Sequence, residues 1–372
     1  MRKLTLISIL VVMSVLAAAC APAATQAPAA TEAPAPTAAA PVAPVTVIEV
    51  TVPGYGETLK AVQARGKIVC GVNAQVPGFG FVDSAGVFSG FDVDFCRALA
   101  AAVFGDPEKV EYRALTSSER FTALQAGEID LLSRNTTWTL TRDTELTGNF
   151  VHTMFYDGQG MMVPVDSGLT TLKDLEGGTV CVQTGTTTEL NLADVMASEG
   201  ISYTPAVFED SNATLAAYGE GRCDAITTDK SGLVSNRASL ADPAAHVIMD
   251  VTMSKEPLGP MVRHGDDQWF DIVQWTVFAL FTAEEFDITS ANVDDVKASA
   301  TNPSILRLLG TEPGMGTKLG LSDDWAYNII KLVGNYEEIY NHNLGPDTPT
   351  FIPRGLNSLY LDGGLLYAPP VR

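Results

Sequence analysis

Three short stretches of the sequence hold residue types at spacings suited to binding a small zwitterion. The first is the polar run Arg134-Asn-Thr-Thr-Trp-Thr-Leu-Thr141, followed at once by Arg142. A guanidinium presents a planar fork that matches a carboxylate through two parallel hydrogen bonds. The hydroxyls of Thr136, Thr137 and Thr139 add donors beside it. Most arginines are solvated, so position rather than residue type singles out Arg142. The second stretch is Gly185-Thr186-Thr187-Thr188, between an expected strand and an expected helix. Free backbone N–H groups and the positive end of a helix dipole favour an anion there. Capping by the threonine hydroxyls uses other N–H groups and is compatible with that role. The third is Asp229, directly after Ala225–Thr228. Its carboxylate can accept from an ammonium, or can cap a helix starting at Lys230. Two anion-binding elements and one cation-binding carboxylate together fit an α-amino acid, with its carboxylate toward Arg142 and Thr187 and its ammonium toward Asp229.

Residues for other chemistries are not assembled. The sequence has no G-x-S-x-G elbow, P-loop, dinucleotide fingerprint or H-E-x-x-H motif. Its four histidines, His152, His246, His264 and His342, lack metal-ligand spacing. No catalytic residue, metal site or cofactor is expected. Asp266-Asp267 reads as a helix start, and the sequon Asn135-Thr-Thr137 is discounted.

The elements that must position these residues follow one plan, used twice. In the first pass, Lys67–Val72 is a short apolar strand. Gly90–Phe104 is a helix that Asp92 can cap, with Phe95, Leu99 and Val103 on one face. Val110–Leu115 is a strand. Thr116-Ser-Ser-Glu119 has capping-box spacing and opens a helix that stops at Gly127, and Ile129–Ser133 is a third strand. The second pass runs through a strand at Thr179–Gln183, a helix to Glu199 closed by Gly200, and a strand at Thr204–Phe208. A helix capped by Asp210 or Ser211 and a strand at Ala225–Thr228 complete it. Even the approaches to the third strands echo: Leu124-Gln-Ala-Gly-Glu-Ile-Asp130 against Tyr218-Gly-Glu-Gly-Arg-Cys-Asp224. Alternating strands and helices of these lengths indicate an α/β fold with two parallel-sheet lobes, each Rossmann-like. Val151–Val163 and Leu258–Val262 read as the outbound and returning crossovers. Helices at Asp267–Glu285, Asp323–Val333 and Tyr336–Asn343 then complete the first lobe. Ligands of open α/β sheets sit at the carboxyl ends of the strands, so two such lobes on two crossovers make a hinged cleft.

The N-terminus suggests the compartment. Arg2 and Lys3, the apolar run Leu4–Leu16 and the small residues Ala17–Ala19 before Cys20 form an export leader, too short to span a bilayer as a mature helix. A cysteine at that place resembles a bacterial lipobox, although Leu16 lies one position early. The Ala/Pro/Thr-rich stretch that follows cannot bury enough surface to offset its ordering entropy and reads as a tether. The layout is thus a leader at 1–19, a lipidated tether at 20–53, a first lobe from 54–155 and 258–372, and a second lobe at 156–257. A net charge of −21 argues against nucleic-acid partners, which require a basic footprint. Apart from Cys20, the cysteines are Cys70, Cys96, Cys181 and Cys223, an even set suited to disulfides in an oxidising space. Sequence alone leaves three connectivities open. The lobe division places Cys70 with Cys96 and Cys181 with Cys223.

Taken together, Val69-Cys-Gly-Val-Asn73, Gly90-Phe-Asp-Val-Asp94, Ser133-Arg-Asn-Thr-Thr-Trp-Thr139, Gly185-Thr-Thr-Thr-Glu189, Lys255-Glu-Pro-Leu-Gly-Pro260, Asp266-Asp-Gln-Trp-Phe270 and Tyr367-Ala-Pro-Pro370 resemble the polar amino-acid solute-binding family, and its general L-amino-acid-binding branch in particular. The resemblance runs from Leu59 to Arg372. It implies a type II-like periplasmic-binding-protein fold, an L-amino acid as ligand, and an ABC permease–ATPase as membrane partner for a lipid-anchored monomer. It places the ligand carboxylate at Arg142, Thr137 and the main chain near Thr186 and Thr187. The ammonium falls at Asp229 and the carbonyl near Asn135. Where many relatives carry an aromatic lid, this chain has Val76, with Phe79 and Phe81 just beyond, while Trp138 is either an apolar floor of the pocket or packed in the core beneath the loop. Two other readings stand beside this one. A dehydratase-like enzyme on the same fold would need a poised acid or base in the cleft. A ligand carrier for a chemoreceptor or sensor would use the same cleft without a permease.

Overall fold

The computed structural model describes residues 56–146 and 148–372. The expected leader, Cys20 and the tether at 20–53 lie outside the described residues.

Both lobes are built on five-stranded sheets of matching order. In the first, Val110–Ala114, Ile68–Val72, Leu131–Leu132, Met261–Arg263 and Gly148–Phe150 lie side by side. In the second the order is Thr204–Phe208, Thr179–Gln183, Ala225–Asp229, Gln159–Pro164 and His246–Ile248. The first three strands of each are parallel, in register Ile68↔Val110 and Thr179↔Thr204, and the fourth is antiparallel. That fourth strand is the returning crossover in the first sheet and the outbound crossover in the second. Between the sheets the crossovers pair with each other, Phe155–Asp157 against Glu256–Leu258. Gly259 lies where they turn; a Cβ there would collide with the carbonyl of His152, so no larger residue fits without moving the crossover.

The largest core belongs to the first lobe. The helix Phe91–Phe104 packs on the sheet and under Trp325–Leu332 and Tyr336–Leu344. The helix Asp267–Glu285 buries Ile272, Val273, Val277, Leu280 and Phe281, a spacing of three and four that keeps one broad face inward. Asp266 caps it by accepting from Trp269 N, and the same carboxylate accepts from Gly56 N at 2.9 Å and Thr58 N at 2.8 Å. Phe79, Phe91, Phe155, Tyr336 and Tyr340 form an edge-to-face and stacked cluster between this helical layer and the crossovers. Disulfides Cys70–Cys96 and Cys181–Cys223 each close within one lobe.

Several expected details differ. Asp92 does not cap its helix. It sits inside the first turn, Gly90 occupies the cap, and the Asp92 carboxylate instead accepts from Asn135 N at 2.7 Å. The reciprocal Thr116–Glu119 bonds form, but the α-helix begins only at Arg120. The strand expected at Ile129–Ser133 shortens to Leu131–Leu132, because Asp130 turns its carboxylate back onto Val69 N. Short helices at Glu57–Arg65, Val293–Ser299, Pro303–Leu308 and Met315–Leu319 were not anticipated; none is long enough to show a clear apolar period.

Candidate functional site

The carboxyl ends of the two sheets face one narrow cavity of about 40 Å³. Its walls come from helix starts and strand ends. Arg120 opens the helix Arg120–Gln125, and Asn135 and Thr137 follow Leu131–Leu132. Thr187 opens the helix Thr187–Glu199, and Asp229 ends the strand Ala225–Asp229. The lobes touch across it: Thr137 Oγ1 lies 3.3 Å from Thr187 Oγ1, and Ser235 Oγ donates to Pro77 O at 2.6 Å.

Charge is divided by wall. The first lobe supplies the buried guanidiniums of Arg120, Arg134 and Arg142. The second lobe and the crossovers supply the buried carboxylates of Asp229 and Glu256 and the half-buried one of Asp157. Among the described residues, none of these six groups is in an ion pair. Burial pushes the Asp229 carboxyl well above the ordinary carboxylate range, and the negative fields of Asp157 and Glu256 add to that. Burial likewise raises Asp157 to about 6. On the opposite wall, burial and then the fields of Arg142 and Arg134 push Arg120 well down, and burial brings Arg134 to about 10. Each wall disfavours its own charge, and a zwitterion laid between them relieves both.

Asp229 precedes the helix Lys230–Ser239 but makes no side-chain cap bond; Asp157 accepts from Ser231 N instead, at 3.2 Å. The Asp229 Oδ1 is buried and has no partner among the described residues. Thr186 does cap its helix, accepting from Glu189 N at 3.1 Å, and lines the cavity as well. Asn135 adopts φ +32°, a conformation asparagine tolerates better than most residues, held by the Asp92 bond to its N–H and by Asn73 on its side-chain oxygen.

Of the residues singled out in sequence, the structure brings Asn135, Thr137, Thr186, Thr187, Asp229 and Val76 to the cavity wall. Four do not reach it. Thr136 is fully buried, bonding Arg134 O and accepting from Arg120 Nη1. Arg142 lies behind the wall, where its Nη1 donates to Thr137 O at 3.0 Å and its guanidinium stacks 5.2 Å from the Phe121 ring. Phe79 is turned into the aromatic core, since Gly78 and Gly80 let the chain fold its ring onto Phe155. Trp138 is no floor: it is 38% exposed and stacks on Phe150 at 5.7 Å.

Four charged residues were missed: Arg120, Arg134, Asp157 and Glu256. Arg120 follows a capping box and so reads as a surface helix residue. Arg134 was noted only as part of a polar run. Glu256 sits in the Lys255–Pro260 crossover, yet its carboxylate accepts from Thr137 Oγ1 at 2.6 Å, Thr187 Oγ1 at 2.8 Å and Asn191 Nδ2 at 2.7 Å, bridging both lobes. Its sequence signal is its place in the Lys255–Pro260 motif, where it reads as a charged partner of Lys255.

Comparison with known proteins adds an independent line. The model of the bacterial extracellular solute-binding proteins, family 3, matches residues 68–291. The chain is 56% identical over 317 residues to the general L-amino acid-binding periplasmic protein AapJ of Rhizobium johnstonii, covering 85% of this chain and 93% of that protein. It is 51% identical over 315 residues to the glutamate/glutamine/aspartate/asparagine-binding protein BztA of Rhodobacter capsulatus, again covering 85% and 93%. Among solved structures, a periplasmic binding protein of an ABC transporter from Brucella ovis with glutathione bound superposes with a TM-score of 0.83 at 51% identity, covering 85% of this chain and 99% of that one.

Proposed function

Because the chain belongs to the family 3 bacterial extracellular solute-binding proteins, we propose that it is the extracytoplasmic amino-acid-binding component of an ABC importer. It takes an L-α-amino acid into the cleft between its lobes and presents the closed, loaded form to a membrane permease–ATPase. The observation that carries this reading is the Asp229 Oδ1, buried and without a partner among the described residues, in a cavity that Arg120 and Arg134 also line. The ligand ammonium sits at Asp229 with the Asn135 carbonyl beside it. The α-carboxylate sits at the helix start near Thr186 and Thr187, where N–H groups and the dipole favour an anion. Arg142 supplies positive charge from behind Thr137.

Binding without turnover is the reading: burial and neighbouring carboxylates raise Asp229, and a ligand ammonium beside it would draw it back down by pairing with its charged form. Acylation of Cys20 and the Ala/Pro/Thr tether would hold a monomeric body near the membrane, within reach of its permease. The same loaded form could serve a separate receptor. A second reading concerns the ligand's size: the Brucella ovis relative holds glutathione, so a peptide-linked amino-acid head is a natural competitor in the titrations.

Asp229→Asn tests the site. Truncating one member of a buried charge pair costs about 2–5 kcal/mol, so amino-acid affinity should fall about 30-fold or more. The unfolding midpoint of the ligand-free protein should not drop, because no protein partner is lost. Unchanged affinity in that variant would remove Asp229 from the site.

A further inference from the structure

An α-amino acid brings one carboxylate, and the helix start at Thr187 can hold it. The first lobe nevertheless places two guanidiniums in the cavity wall, Arg120 and Arg134, with Arg142 just behind. Arg120 and Arg134 are only 3% and 4% exposed. Buried charges are normally paired, because desolvation without a counter-charge is costly.

The partners these two arginines do have are weak ones for a cation. Arg120 donates from Nη1 to Thr136 Oγ1 at 3.3 Å and from Nη2 to Gly185 O at 3.5 Å, both long, and its Nε is buried with no partner among the described residues. Arg134 donates from Nε to Leu115 O at 2.8 Å. The carboxylate nearest in effect to Arg134 is Asp92, which already accepts from Asn135 N. Arg120 feels Arg142 and Arg134 more strongly than it feels Asp229. The rest of the wall does not suit an apolar side chain: Val76 is the one aliphatic residue in it. A leucine or phenylalanine ligand would leave both guanidiniums desolvated and unpaired.

We propose that Arg120 and Arg134 form a second anion subsite that takes the side-chain carboxylate of a dicarboxylic amino acid, so that the preferred ligands are acidic. This rests on the reading that the Asp229 end holds an α-ammonium. The required chemistry is one α-ammonium with two carboxylates. A free acidic amino acid and a γ-glutamyl peptide both carry it.

The test is calorimetric titration of the purified protein, stripped of carried ligand by unfolding and refolding, with L-glutamate, L-aspartate, L-glutamine, L-leucine and glutathione. The same series is run on Arg120→Gln. The proposal expects L-glutamate or L-aspartate to bind at least tenfold tighter than L-glutamine and a hundredfold tighter than L-leucine. In Arg120→Gln the glutamate-to-glutamine ratio should shrink tenfold or more. Glutathione binding above all free amino acids, and lost tenfold or more in Arg120→Gln, would support the subsite and assign it to a peptide. Equal affinity for L-glutamate and L-leucine overturns the subsite and leaves the amino-acid reading standing. An equal loss for glutamate and glutamine in Arg120→Gln overturns it too, since that is what a purely structural arginine would do. Failure of every ligand to bind overturns both readings. The ratios on the unaltered protein decide the matter even if Arg120→Gln does not fold.

Discussion

Asp229 was visible in the sequence because it stands directly after a strand that a repeated plan brings to the cleft, whereas Arg142, singled out by its place after a polar loop, stands behind the cavity wall. Arg120 and Asp157 were not, since burial decides their role and burial depends on the opposite lobe. The same burial makes a pH prediction. Asp92 is raised by burial to about 7 from an ordinary 3.8, against the lowering effect of its bond from Asn135 N and of Arg134, and Asp157 is raised to about 6. With folded values above unfolded ones, the folded state holds more protons between about pH 4 and 7. Stability from these groups is therefore complete below the unfolded value and is lost as pH rises through the folded ones. The ligand-free protein should show an unfolding midpoint several degrees lower at pH 8 than at pH 5, and Asp92→Asn should flatten that fall. A midpoint that is level or rises across this range, in the ligand-free state, would contradict the placement of Asp92.

Secondary structure was most legible where local signals agree with packing. The strands Thr179–Gln183 and Thr204–Phe208 and the helix Asp267–Glu285 stand at the bounds read from sequence. For the helix, an acidic cap at Asp266 and an apolar stripe point the same way. Where one side chain had two possible partners, sequence chose wrongly: Asp92 was assigned to its own helix and serves the Asn135 loop. Phe79 and Trp138 were assigned to the pocket because they flank it in sequence, but tertiary contacts turn them to the core and to Phe150. The helix Asp267–Glu285 is the element on which the first lobe depends. Phe281, fully buried and edge-on to Tyr336, should cost about 3–5 kcal/mol when replaced by alanine, read as a lowered denaturation midpoint in urea with an unchanged slope. Loss of less than about 1 kcal/mol would mean that this helix is not packed as described.

At the scale of the molecule, the disposition of two like sheets about paired crossovers was legible, because the strand–helix repeat constrains connectivity. The contacts that hold the lobes together were not, since Glu256 gathers Thr137, Thr187 and Asn191 from segments far apart in the chain. That carboxylate lies at the crossover and touches both lobes, so closure and binding share residues. A ligand that binds only when the lobes meet shifts the population toward the closed form by its differential affinity. It also stabilises the fold, by about 2.7 kcal/mol at a hundredfold excess over Kd. The central claim, that the cleft is an amino-acid clamp with Asp229 as its ammonium site, is tested most directly by one calorimetric titration: the refolded, ligand-free protein against L-glutamate, with N-acetyl-L-glutamate as the control that lacks an ammonium. L-Glutamate should bind saturably and one-to-one, and the acetylated form should bind with an affinity lower by 30-fold or more. Equal binding of the two, or none by L-glutamate or any other free L-amino acid, would contradict it.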